Sequence, residues 1–210
     1  MSSSWIPAWA GLAWLLIYAV IAAGHAGHLA AAERSVRLWH AAHVLMALGM
    51  IDMFWPGGVM PVGSGAGQAL FGGGAAVVVA AIAVAAARGR PAGRIWVLTA
   101  ADLAVMAYMF ALSSVRYLIV LTVILAAWQL AEAIAWASGY LSPAVAHAPV
   151  AAAAGPGAIT VPRPASSGHN GRALRASLAL MNLGMAYMLV AIQFGMAGMA
   201  GPGMPGMPGM

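Results

Sequence analysis

At 210 residues, 63% hydrophobic and 6% charged with a mean hydropathy of +0.91, the chain is too apolar for a soluble domain, in which about 25% of residues are charged. Its net charge of +5 comes from nine arginines and no lysine, placed between apolar runs, and so reads as a membrane-topology signal rather than a nucleic-acid patch. The absence of cysteine excludes disulfides, thiolate metal sites and thiol catalysis.

The first apolar run spans 9–29 and carries His25 and His28 near its end. "LAAAE" at its close looks like a small-residue cleavage site, but "MSSSWIPA" before the run lacks the positive charge of an export signal, so the run is expected to stay as a span. A short turn holding Glu33, Arg34 and Arg37 leads into the second run, 36–54, with His40 and His43 in its first half and Asp52 at its far end. Asp52 is expected to be solvated or paired with Arg116. "WPGGVMPVGSGAGQ" then forms a Gly/Pro loop. The third run is 69–87, the fourth 95–112 with Asp102, and the fifth 117–136 with Gln129 and Glu132. A segment over 139–173, rich in Ala, Pro and Gly and holding His147 and His169, is expected to be a flexible solvated loop. The sixth run is 174–194, and the low-complexity tail 200–210 ends in Met-Pro-Gly steps.

Each run is near the roughly 20 residues a spanning helix needs, and helices satisfy their own backbone in lipid. The expected fold is an all-α integral membrane protein of the plasma (inner) membrane: a six-transmembrane-helix bundle in one domain, 1–199. Eight of the nine arginines fall in the connections after spans one, three and five; Arg116 alone falls on the other side. By the positive-inside rule the orientation is N-out/C-out. Trp5, Trp9 and Trp55 would then mark the outer interface, and Trp39, Trp96 and Trp136 the inner one.

With that topology the polar residues sort by depth. His25 and His43 each lie nine residues from Arg34, and His28 and His40 each lie six, so an antiparallel hairpin puts His25 level with His43 and His28 level with His40. Asp102, eight residues into its span, lies about 10 Å deep from the inner side. Ionisable groups inside a membrane usually face a partner, so Asp102, Glu132 and Gln129 are expected to support the histidines. Methionines take the outer half. Met46, Met50 and Met53 continue the second span, Met106 and Met109 follow Asp102, and Met181, Met185 and Met188 stripe the sixth. Met60, Met204, Met207 and Met210 lie outside. Thioethers select Cu(I) and imidazole suits Cu, Zn, Fe and Ni. Methionine stripes at helical spacing are also ordinary packing.

"MALGM" (46–50) and "MNLGM" (181–185) resemble the Met-x-x-x-Met motif of eukaryotic high-affinity copper transporters, although those have three spans per subunit. "HAGH" on the first span, "WHAAHVLMALGM" on the second, and the Asp- and Glu-bearing later spans resemble an actinobacterial family of small multi-pass membrane proteins, a domain of unknown function. That resemblance implies membrane class and no activity.

The expected function is copper binding, transport or homeostasis. Met60 and the tail methionines capture Cu(I), the span methionines pass it, and His25, His28, His40 and His43 hold it. Two alternatives stand beside it: a membrane haem or metal oxidoreductase using His25 and His43 as ligands, and a metal-free accessory subunit. No catalytic residue is assigned; the expected partners are the lipid bilayer and either further copies or a larger membrane complex, with no nucleic acid.

Overall fold

A computed structural model describes residues 7–31, 34–55, 61–89, 93–112, 118–141 and 168–199. Among the described residues there are six α-helices: α1 (Ala8–Ala31), α2 (Arg34–Met53), α3 (Ser64–Ala87), α4 (Arg94–Leu112), α5 (Ile119–Ser138) and α6 (Gly168–Met199). Hydropathy marks the lipid-crossing part of a helix, whereas the hydrogen-bond ladder runs on until the backbone is forced to turn. α3 therefore starts at Ser64, within the expected Gly/Pro loop, and α6 starts at Gly168 and runs to Met199. α5 stops at Gly139, whose φ of 82° lies in the left-handed region that glycine enters without a Cβ clash.

The helices form three hairpins, α1/α2, α3/α4 and α5/α6, joined by contacts of α2 with α4 and of α6 with α1 and α4. Ring pairs fix the antiparallel sense of the first: Tyr18 meets Phe54 at 6.0 Å and His25 meets His43 at 5.1 Å between centroids. Phe71 stacks on Phe110 in the second, and Thr122 hydrogen-bonds Gln193 in the third. Trp39, Ile95 and Leu178 pack together near the starts of α2, α4 and α6, so Arg37, Arg94 and Arg175 on those helices lie toward one end of the bundle.

Among the described residues, five helices are long and apolar enough to cross a membrane; α2 is the exception, because Arg37, His40, His43 and Asp52 dilute its apolar run. The outer faces are apolar: Val20, Val77 and Val120 are 70–74% exposed, as suits contact with lipid chains rather than water. The chain is an α-helical membrane protein.

Two apolar clusters fill the interior. The larger one gathers Met46, Met50, Met106, Met109, Met181, Met185 and Met188 around Tyr18, Phe54, Phe71 and Phe110. Gly49 lets α2 close on its neighbours, since a Cβ there would lie 2.5 Å from Phe71 Cζ and 2.7 Å from Met106 Cε. The smaller cluster, Trp39, Ile95, Trp136 and Leu178, lies toward the arginine-bearing end. Trp39 and Trp136 are thus core residues, 2% and 4% exposed, and not members of an interfacial belt. Their helix faces point inward, and Trp136 finds a polar partner there for its indole N–H.

Candidate metal centre

The histidines meet because the α1/α2 hairpin is tight and nearly symmetric about its turn. His25 stacks on His43 with an interplanar angle of 11°, and His28 stacks on His40 with ring centroids 5.3 Å apart. The level pairing expected from the spacing about Arg34 is the pairing observed. A diagonal contact adds to it: His25 Nδ1 lies 3.0 Å from His40 Nδ1, so one of the two carries the proton and donates to the other. His25, His40 and His43 are buried and His28 is exposed, at the lip of the cluster.

Two further ring nitrogens are also held. His43 Nδ1–H donates to the Trp39 carbonyl at 2.8 Å, which leaves Nε2 as the unprotonated face of that imidazole. His25 Nε2 lies 3.4 Å from Ser177 Oγ on α6, which leaves His25 Nδ1 facing His40. Ser177 in turn donates to the Leu174 carbonyl at 2.8 Å. Trp39 packs against three of the four imidazoles, at 5.6 Å from His25, 4.9 Å from His40 and 4.2 Å from His43 between centroids. Among the described residues, no group of three or more His, Asp or Glu is already arranged around a common point to hold a metal ion.

A groove of about 460 Å³ between α1 and α6 leads to this cluster from the lipid side, with His25, His28 and Ser177 at its polar end and Leu16, Val20 and Leu180 along its wall. Ser177 escaped the sequence reading, as did Trp39 in its role beside the histidines, having been placed at the inner interface. Trp39 carried a usable signal, lying one turn from His43 on the same helix face, whereas Ser177 comes from a distant helix.

The acids do not sit among the imidazoles. Asp102 Oδ1 accepts from Gln129 Nε2 at 3.0 Å, and Glu132 Oε1 accepts from Trp136 Nε1 at 3.2 Å. The first of these bonds joins α4 to α5 and the second lies within α5, with the Trp39–Trp136 cluster on the histidine side. Asp52 is buried rather than solvated, and its Oδ1 accepts the Val62 backbone N–H at 2.9 Å, tying the loop after α2 back to the helix. Its expected partner, Arg116, lies outside the described residues.

The methionines of α2, α4 and α6 converge: Met46, Met50, Met106, Met109, Met181, Met185 and Met188 are at most 2% exposed, and Met53 packs on their edge. They form a filled core with aromatic rings between them. Met60, Met204, Met207 and Met210, the residues expected to capture metal, lie outside the described residues, as does His147.

The model of a family described as Domain of unknown function (DUF5134) matches residues 35–192. That interval begins within α2, covers all of α3, α4 and α5, and ends within α6. No curated protein and no solved structure matches the chain.

Proposed function

We propose, for a chain that belongs to the DUF5134 family, a copper-binding role in the plasma membrane, with the metal held by histidines of the α1/α2 hairpin. In this reading α2 also crosses the bilayer, giving six spans with both termini outside. Pairing His40, His43 and Asp52 inside the bundle lowers the cost of their polarity.

The observation that carries the reading is the 3.0 Å approach of His25 Nδ1 to His40 Nδ1, with His43 stacked beside them. Two ligands at metal–nitrogen bonds of about 2.0 Å and 3.0 Å apart subtend about 97° at a shared ion. That angle suits a three- or four-coordinate ion, Cu(I) among them, better than a linear two-coordinate pair. The hydrogen bond from His43 Nδ1–H to a backbone carbonyl is the kind of outer contact that fixes the tautomer of a ligating imidazole. His28, exposed at the lip, is the ligand through which the ion enters or leaves.

The methionine core is the soft counterpart of this site. Thioethers from three helices meet there, and Cu(I) moving between the outer face and the histidines would exchange from sulfur to sulfur. Transport by this route is part of the proposal, and its direction is set by neither ligand set.

The oxidoreductase alternative fits less well. Haem axial imidazoles point their nitrogens at one iron from opposite sides of a porphyrin, whereas His25 and His43 present their faces to each other 5.1 Å apart.

The test is metal analysis with an absorption spectrum on purified protein loaded with copper or zinc, beside a variant with His25, His28, His40 and His43 all changed to Ala. Stoichiometric copper in the wild type and its loss in the variant are expected. Wild-type protein without copper after loading overturns the reading, and a Soret band would favour the haem alternative.

A further inference from the structure

Between the methionine core and the Trp39–Trp136 cluster lies a polar layer that the histidine site does not use. Asp102 on α4, Gln129 and Glu132 on α5, and Asn182 on α6 are all at least nine-tenths buried. Each amide gives one N–H, and the Trp136 indole its single N–H, to a named acceptor: Gln129 Nε2 to Asp102 Oδ1 at 3.0 Å, Trp136 Nε1 to Glu132 Oε1 at 3.2 Å, and Asn182 Nδ2 to the Leu178 carbonyl at 2.9 Å. Three buried oxygens then have no hydrogen-bond partner: Gln129 Oε1, Glu132 Oε2 and Asn182 Oδ1.

These oxygens belong to one level of the bundle. Gln129 and Glu132 are one turn apart on the same face of α5. The pairings Thr122 with Gln193 and Gly139 with Arg175 set the register of α5 against α6, and that register puts Asn182 level with Glu132. An unpaired buried acceptor costs about 1–3 kcal/mol. Three at one level, beside a second carboxyl, call for a shared positive partner. Arg175 does not supply it, because its guanidinium lies over Gly139, two turns beyond Glu132. From α2 the layer meets Trp39, whose buried indole N–H also lacks a partner but is a single donor against three acceptors, with His43 behind it.

We infer that Asp102, Gln129, Glu132 and Asn182 form an oxygen-lined site for one small monovalent cation, Na+ by its chemistry. Hard cations take oxygen ligands. The surrounding backbone carbonyls are committed to their helices, so the four side chains provide the ligands; two of their six oxygens, Asp102 Oδ1 and Glu132 Oε1, already accept hydrogen bonds, which leaves four against the 6–8 that Ca²⁺ takes. Mg²⁺ sheds its water reluctantly. One proton shared by the two carboxyls leaves a single negative charge, which one monovalent cation neutralises. The site is separate from the histidines and does not rest on copper binding.

The test is thermal unfolding of copper-free protein in nanodiscs, with choline, sodium, potassium, magnesium or calcium chloride at equal ionic strength. Sodium is expected to raise the Tm of the wild type by about 5 °C over choline. Glu132→Gln and Asn182→Leu should each remove at least half of that rise, and a His25→Ala/His43→Ala double variant should keep it. The inference is overturned if the wild type shows no preference for sodium over choline, or if Glu132→Gln and Asn182→Leu leave the rise intact. It is also overturned if a divalent ion gives the larger rise. Should Glu132→Gln not fold, the wild-type ion comparison and the uncharged Asn182→Leu variant still decide it.

Discussion

His25 and His40, on the two arms of one helical hairpin, bring their Nδ1 atoms within 3.0 Å of each other inside the bundle. One must carry the proton for the other, or both must share a cation. The first option predicts a purely structural pair, in which His25→Ala and His40→Ala lower stability and leave metal content unchanged. The copper reading predicts that either substitution removes most bound copper, while His28→Ala, at the exposed lip, lowers the loading rate and less of the final content. Elemental analysis over a time course of copper loading separates the three variants.

Methionine and leucine have similar volumes, so Met46→Leu, Met106→Leu and Met185→Leu should each cost less than about 1.5 kcal/mol of stability. If the sulfurs relay Cu(I), the triple variant nonetheless loses copper flux in proteoliposomes. If the flux of the folded triple variant equals that of the wild type, these thioethers serve as packing alone.

Tyr18 is fully buried, and its hydroxyl donates to the Met181 carbonyl at 2.9 Å, linking α1 to α6. Interhelical hydrogen bonds of this kind in membranes average about 0.6 kcal/mol. Tyr18→Phe should lower stability by about that amount and keep the fold, as read by unfolding in mixed detergent micelles.

Gly49 faces Phe71 and Met106 at distances no Cβ tolerates. Gly49→Val should therefore force α2 away from α3 and α4, at a cost of about 1–3 kcal/mol or more. Gly27, whose Cβ position is open, is the control: Gly27→Ala should leave the melting temperature unchanged or raised.

Asp52 holds the loop after α2 through the Val62 N–H. Asp52→Ala removes that acceptor from a buried site and should cost about 1 kcal/mol. Faster proteolysis within 56–63 is the measurement that reads it.

The amino-acid sequence alone determined the membrane class, the existence of all six helices, the bounds of four of them to within about two residues, and the level of the four hairpin histidines. Length and hydropathy act locally, and a short turn leaves an antiparallel hairpin one register, so counting from Arg34 was enough to pair His25 with His43 and His28 with His40. The rest depended on which face each helix turns to which neighbour, and hydropathy carries little of that in helices apolar on nearly every side. Only the tertiary structure decided that Asp102 bonds Gln129, that Glu132 bonds Trp136, and that Trp39 and Trp136 are core residues. It alone brought Ser177 to His25 and left Asn182 without a partner for its Oδ1, because both lie on α6, a helix distant in sequence whose rotation is set by packing.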